Sequence, residues 1–122
     1  MSEGAPFYLL WMSHPPHSTV HLSEALRLSA MATALGSPIR MLFVGEGVRA
    51  LVRGPEPYLY GPPMDRLLAG IVTPEAPVLV HGPSLTLRRW SRGSLLPELP
   101  LEIVDDEGAA EWIYRAKKVV PF

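Results

Sequence analysis

Short apolar segments recur along this chain, and each is followed by residues with helical character. Residues 7–12, 39–44 and 78–80 carry apolar side chains at nearly every position. Such uninterrupted runs are typical of strands that are buried on both faces, as they are in parallel sheets. Strands that alternate with helices predict a three-layer α/β domain, with helices on both faces of about five mostly parallel strands.

Capping and helix-breaking residues set the bounds of the other predicted elements. Ser18 and Thr19 are good N-cap residues for a helix over residues 20–35, and Gly36 ends it. Asp105 caps a second helix that extends to residue 116. Further strands are predicted at residues 101–104 and 118–120, and short helices at residues 48–52, 64–72 and 85–90. Residues 54–63 contain four prolines and two glycines, so they predict a loop.

Length and composition narrow the classes of function. The 122 residues predict one domain over residues 1–122. The chain has no cysteine, which excludes disulfides, thiolate metal sites and persulfide chemistry on its own side chains. Its net charge of −1 disfavours nucleic-acid binding. No stretch approaches the ~20 apolar residues of a membrane span and the first residues lack signal-peptide features, so we expect a cytoplasmic protein without membrane contact.

All four histidines fall near the carboxyl ends of predicted strands. His14, His17 and His21 follow the first strand, and His81 ends the third. Parallel strands bring these ends to one edge of the sheet, where open α/β sheets bind ligands. Histidine changes charge near neutral pH and ligates metals, so this edge is the predicted ligand or partner pocket.

The spacing of the first three histidines allows two chemical alternatives. They could share a zinc ion, but Pro15 and Pro16 stiffen the path between the first two, and His21 lies within the helix. We therefore predict no metal and no cofactor. Alternatively, Glu24 lies three residues after His21 on one helix face and could orient the imidazole as a general base. No nucleophile follows from the sequence, so no catalytic residue is predicted.

Gly45 and Gly47 flank Glu46 directly after the second predicted strand. Their N–H groups could bind a phosphate at a helix start, but the G-x-G-x-x-G spacing is absent and the carboxylate of Glu46 would repel an anion. A sharp strand-to-helix turn is the simpler interpretation. Because this turn falls at the same edge as the histidines, both glycines are assigned to the predicted pocket.

Two segments are predicted to form interfaces. The first helix has only Glu24 and Arg27 as charged residues, so its apolar surface, including Leu28 and Met31, predicts contact with another subunit of a homo-oligomer. The second segment joins arginine and tryptophan, which are common interface anchors. It comprises Arg88, Arg89, Trp90 and Arg92.

Several motifs resemble those of the DsrE/DsrF/TusC-like family of sulfur-relay proteins. Pro15-Pro16-x-x-Thr19-x-His21 with Glu24 and Leu26 is similar to the family segment after its first strand, and Phe43-Val44-Gly45-Glu46-Gly47-Val48 to the segment after its second. Val80-His81-x-x-Ser84-Leu85 and the final Val119-Val120-Pro121-Phe122 are weaker matches. The resemblance implies a compact DsrE-like α/β subunit that assembles into an oligomer, and it adds Ser84 to the predicted pocket.

The resemblance also places His81 where sulfur-carrying family members have cysteine. An imidazole cannot form a persulfide. The resemblance therefore implies a non-catalytic DsrF/TusC-type subunit that binds or positions a partner without carrying sulfur. The implied partners are further copies of this chain, DsrE-like proteins or other sulfur-carrier proteins. The alternative is a small-molecule or metal-dependent enzyme that uses the histidines at the carboxyl edge of the sheet.

Overall fold

The computed structural model describes residues 6–15, 21–53, 68 and 70–122, with only the backbone described at 21–23. Its strands are β1 (Tyr8–Met12), β2 (Ile39–Phe43), β3 (Val78–His81), β4 (Leu101–Val104) and β5 (Lys118–Pro121). The α-helices are α1 (His21–Ala34), α2 (Gly82–Leu87) and α3 (Asp106–Arg115), and two 3₁₀ helices cover Gly45–Leu51 and Arg92–Ser94.

The five strands form one sheet in the order β4-β3-β2-β1-β5, and every adjacent pair is parallel. The chain crosses the sheet in one direction from β1 to β4 and then returns to place β5 beyond β1. Because crossovers between parallel strands are right-handed, this return puts α3 on the face opposite α1. Helices therefore cover both faces, and the predicted three-layer arrangement is confirmed.

Alternating strand residues build a separate core on each face of the sheet. On one face, Leu10, Met41 and Val80 pack with residues of α1 and of the 3₁₀ helix Gly45–Leu51. On the other face, Leu9, Leu42 and Leu79 pack with α3. All six strand residues are essentially inaccessible to solvent. Burial on both faces explains why these strands lack the alternation of apolar and polar residues that a one-sided sheet shows.

The turn after β2 requires glycine at Gly47. The backbone of Met12 accepts a hydrogen bond from the N–H of Val44 at 2.9 Å, which draws the turn against the end of β1. A Cβ atom built on Gly47 would lie 2.0 Å from the carbonyl oxygen of Met12. Gly45 has a φ of +53°, a left-handed conformation that also favours glycine. Both glycines thus allow the close strand-to-helix turn.

The short helices differ from their predicted bounds. The helix predicted at residues 85–90 begins at Gly82 instead, because proline in a first helical turn loses no hydrogen bond and Pro83 starts the helix rather than preventing it. The helix predicted at residues 48–52 is a 3₁₀ helix that begins at Gly45. The predicted loop at 54–63 and most of the predicted helix at 64–72 lie outside the described residues. None of the helices in the described ranges is long and apolar enough to cross a bilayer.

Candidate functional site

The carboxyl ends of β2, β3 and β4 meet at a polar network centred on His81. His81 is the last residue of β3, and its side chain is about 20% exposed. Its Nδ1 lies 2.6 Å from the Oγ of Ser84, and its Nε2 lies 2.7 Å from Oδ1 of Asp106. Both imidazole nitrogens are therefore engaged, one with a partner inside the protein and the other with a partner at its surface.

Two local features of the fold bring these groups together. Ser84 lies in the first turn of α2, three residues after His81, so its hydroxyl turns back toward the end of β3. The register of β3 with β4 sets His81 opposite Val104, and Asp106 follows two residues later as the first residue of α3. Asp105 caps α3 as predicted, since its carboxylate accepts a hydrogen bond from the N–H of Gly108 at 2.7 Å.

The hydroxyl of Ser84 connects the imidazole to the turn after β2. The backbone N–H of Gly45 donates a hydrogen bond to the Oγ of Ser84 at 2.8 Å. The hydroxyl proton is then free to be donated to Nδ1 of His81, and a neutral imidazole carries its own proton on Nε2, facing Asp106. With this assignment every donor in the network has an acceptor, so the imidazole is held in one orientation.

Next to this network, an ion-pair cluster also joins α2 to the 3₁₀ helix Gly45–Leu51. Arg88 donates from Nη2 to Oε2 of Glu46 at 2.7 Å and from Nη1 to the carbonyl oxygen of Ser84 at 2.9 Å. Arg49 donates to the other carboxylate oxygen of Glu46. Hydrogen bonds from Arg49 and then Arg88 lower the pKa of the Glu46 carboxyl group. The cluster ties the end of α2 to the 3₁₀ helix Gly45–Leu51 and also holds the backbone of Ser84.

The serine and the aspartate of this network have the reverse of the solvent exposure that they have in a serine hydrolase. Ser84 is buried, with about 7% of its surface exposed, whereas the side chain of Asp106 is about 86% exposed. In a Ser-His-Asp triad the serine must reach the substrate and the aspartate is buried behind the histidine. The order here suits a hydroxyl that positions His81 from within the protein, while the other imidazole nitrogen faces the surface.

The other predicted pocket residues lie elsewhere along the edge. His14 follows β1 and is exposed, and β2 separates β1 from β3. His21 begins α1, but its side chain lies outside the description, and His17 lies outside the described residues altogether. Glu24 is exposed in the first turn of α1. Across the part of the chain that the structure describes, no three His, Asp or Glu side chains lie close enough to share a metal ion.

The predicted interface residues fall into two groups. Leu28 and Met31 are exposed on α1, by 38% and 56%, and Arg89 and Arg92 are also exposed. Arg88, in contrast, is directed into the ion-pair cluster with Glu46, and Trp90 packs partly against the core. Arg88 therefore supports the His81 network instead of lying on an open surface.

Sequence reasoning did not find the roles of Asp106 and Glu46 in this site. Asp106 was hidden because Asp105, directly before it, explains the acidic start of α3 as a cap. A signal was nevertheless available, since Asp106 follows β4 just as His81 ends β3, and neighbouring parallel strands end at the same edge. Glu46 was considered only as a carboxylate that would repel a bound anion, so its pairing with Arg49 and Arg88 was not predicted.

Comparison with known proteins gives a likeness of fold. The chain matches no family model and no curated protein. The crystal structure of the ychN protein from E. coli is similar, with a TM-score of 0.79 and 24% sequence identity, over 97% of this chain and 100% of that chain. A likeness at this identity shows the fold alone. The DsrE-like fold predicted from the sequence is thereby confirmed.

Proposed function

We propose that this protein is a non-catalytic subunit of a DsrE-like oligomer, and that it binds a partner protein around His81 without forming a covalent sulfur intermediate. The observation that carries the proposal is the hydrogen-bonded sequence Ser84–His81–Asp106 at the carboxyl edge of the sheet. It holds an imidazole in a fixed orientation at the carboxyl edge of the sheet, which is the edge along which open α/β sheets bind ligands.

Two observations favour binding over sulfur transfer. The chain has no cysteine, so it has no thiol on which a persulfide could form. The hydroxyl of Ser84 is buried and bonded to both Gly45 and His81, so it does not serve as an accessible nucleophile. What this edge offers a partner is the Nε2 of His81 and the exposed carboxylate beside it.

The proposed partner is a sulfur-carrier protein or another DsrE-like subunit that brings a thiol or persulfide to this edge. Asp106 is the exposed member of the network, so its side chain can turn toward solvent at little energetic cost. The N–H at Nε2 of His81 would then be free to donate to a sulfur atom of the partner. Ser84 would keep the imidazole in place throughout this exchange.

Affinity capture with the tagged chain tests this proposal. Proteins that co-purify with the wild type are identified and then purified, and their affinity for each variant is measured by calorimetry. We expect His81→Ala to lower the affinity for such a partner about tenfold or more, which corresponds to the loss of about 1.4 kcal/mol. Glu98→Ala, an exposed change in the turn before β4, should leave it unchanged. Equal affinity of the wild type and His81→Ala would refute the proposal.

A second experiment tests the absence of a covalent intermediate. The chain is incubated with a persulfide donor and its intact mass is measured with and without a thiol reductant. We expect no increase in mass that the reductant removes. A thiol-releasable adduct would contradict the assignment as a non-catalytic subunit.

The alternative function is an enzyme that uses the same histidine. One observation favours it, because Asp106, His81 and Ser84 are joined in the order of a proton relay. The burial of Ser84 weighs against it. Fluorophosphonate reagents modify activated serines, and we expect them to leave Ser84 unmodified. Modification of Ser84 that disappears in His81→Ala would establish the enzyme instead.

A further inference from the structure

A groove runs along β4, which is one of the two edge strands of the sheet. Its floor is β4 around Ile103. Residues of α2, including Pro83 and Leu87, line one wall, and Asp105 and Gly108 at the start of α3 line the other. Over Glu102, Ile103 and Val104, the edge strand therefore borders an open groove between two helices.

The backbone of β4 directs hydrogen-bonding groups into this groove. The N–H of Val78 in β3 donates to the carbonyl oxygen of Pro100 at 3.0 Å. Successive residues of a strand point their N–H and C=O groups to opposite sides, so Glu102 and Val104 also face β3. Leu101 and Ile103 consequently point their backbone groups away from the sheet. A long contact of 3.5 Å from Arg92 reaches the carbonyl oxygen of Leu101.

The side chains around the groove combine apolar and acidic character. Leu87 is about 80% exposed and Ile103 about 38%, so both present apolar surface to solvent. Glu102 and Asp105 line the groove beside them, and Asp106 and Glu107 follow directly in the first turn of α3; all four acidic residues are exposed. A partner of this surface must therefore offer apolar side chains together with positive charge.

The opposite edge strand is protected where β4 is not. β5 carries Lys118 and Pro121, and both lysine and proline hinder the addition of another strand at a sheet edge. β4 consists of Leu101, Glu102, Ile103 and Val104 and contains neither residue type. The two edges thus differ in their capacity to accept a further strand.

We propose that the β4 groove binds an extended segment of a partner protein, which adds to the sheet as a parallel or antiparallel strand beside β4. Backbone hydrogen bonds to Leu101 and Ile103 supply affinity, and pockets for alternate side chains supply specificity, as in other cases of strand addition. The segment carries apolar residues that contact Ile103 and Leu87, and lysine or arginine near the acidic start of α3. This proposal goes beyond the His81 site and does not depend on it.

Synthetic peptides test the proposal on the full chain. The probe is a fluorescent heptapeptide that alternates lysine and valine, and its binding is followed by anisotropy. We expect saturable binding that is weakened about tenfold or more when alternate backbone nitrogens of the peptide are methylated, because the strand hydrogen bonds are then lost. A peptide that alternates glutamate and valine should bind more weakly still. Equal binding of the methylated and unmethylated peptides would overturn the proposal.

A matched pair of variants locates the site. Leu87→Lys places a positive charge in the groove, whereas Leu35→Lys makes the same change at the end of α1, where leucine is similarly exposed at 82%. We expect Leu87→Lys to weaken peptide binding about tenfold and Leu35→Lys to leave it unchanged. Neither leucine contributes to the hydrogen bonds of His81, so a failure here is distinct from a failure of the His81 proposal. An equal response of both leucine variants would contradict a site at β4.

Hydrogen exchange identifies the occupant of the groove. In the wild type without peptide, the amides of Leu101 and Ile103 should exchange without protection. They should exchange more slowly when the peptide is bound. If these amides are already protected in the absence of peptide, and Leu87→Lys both removes this protection and converts an oligomer into monomers, the occupant is a second copy of the chain. That outcome would overturn the assignment to a different partner.

Discussion

The two ends of the parallel strands are held together by different chemistry. At the amino ends, the ring of Phe7 meets Trp112 edge-on at 5.5 Å, and the guanidinium of Arg40 lies 4.9 Å from the centre of the same indole. At the carboxyl ends, His81 is joined by directional hydrogen bonds to Ser84 and Asp106. Aromatic packing therefore dominates one end and a small polar network the other.

The two ends of the strands also differ in how far their charged groups are buried. Burial lowers the pKa of Arg40, and nearby Arg115 lowers it further, whereas Glu102 opposes both effects. Trp112 contacts both guanidinium groups, since that of Arg115 lies 5.3 Å from the indole. At the carboxyl end the charged partner of His81 is mostly exposed. We infer that the amino end contributes chiefly to stability, and that the carboxyl end keeps groups accessible to a partner.

The largest expected effect would break this simple division, because it lies at the carboxyl end and concerns the backbone. In Gly47→Ala the new Cβ would lie 2.0 Å from the carbonyl oxygen of Met12, so either the turn or β1 must move. We expect a loss of about 3 kcal/mol or more in the free energy of unfolding, measured by urea denaturation. Gly70→Ala is the control, since a Cβ there meets no atom of the described residues within 4 Å, and it should change stability by less than about 1 kcal/mol. A similar loss in both variants would show that close packing against Met12 is not the cause.

The next effect tests the contribution of the amino end. Trp112→Ala removes a partly buried indole together with its contacts to Phe7 and Arg40, so we expect a loss of about 2 kcal/mol in unfolding free energy. Tyr114→Ala removes an aromatic residue from the same helix that is 86% exposed, and it should cost less than about 0.5 kcal/mol. Partner binding at His81 should be unchanged in both. A stable Trp112→Ala protein with impaired binding would reverse the roles assigned to the two ends.

A smaller loss of stability is expected at His81. His81→Ala removes two hydrogen bonds, but Asp106 is exposed to water and Ser84 keeps its bond from Gly45, so the cost should be about 1 kcal/mol. The comparison predicts that partner affinity falls while the thermal transition stays cooperative. A loss of several kcal/mol would instead mean that the polar network is required for folding, and the contrast between the two ends would not hold.

The sequence contained most of the fold but only part of the site. The strand over Val78–His81 was predictable from its apolar run, and the strand over Leu101–Val104 from its position before a clear helix cap at Asp105. The start of α2 was not, because Gly82 and Pro83 are typical both of a break and of a first helical turn. Burial and the spacing of strands can be inferred from residue order, whereas the orientation of one short helix cannot.

That orientation decides the chemistry of the site. Ser84 meets His81 only because α2 begins immediately after β3, so the residue three positions on is turned back toward the strand. A helix that began at Leu85, as predicted, would not have required this contact. Arg88 was likewise predicted at an interface, and the same early start of α2 directs it toward Glu46. Ser84 was assigned to the pocket, but an error of one helical turn was sufficient to conceal its contact with His81 and the pairing of Arg88 with Glu46.

The smallest effect on stability is expected from substitutions on α1. They extend the comparison from the two ends of the strands to the surface that is predicted to contact another subunit. Leu28→Glu and Met31→Glu place a charge on side chains that are 38% and 56% exposed, so each should change the unfolding free energy of the isolated subunit by less than about 0.5 kcal/mol. If α1 forms the predicted homo-oligomer contact, each new charge is buried in it without a partner. The variant oligomers should then dissociate at a higher protein concentration than the wild-type oligomer. Light scattering over a micromolar concentration series measures this shift. Thr33→Glu, an exposed polar position on the same helix, adds the same charge as a control and should leave assembly intact. A wild type that is monomeric throughout the series would reject the oligomer, and equal assembly in all three variants would place the contact away from Leu28 and Met31.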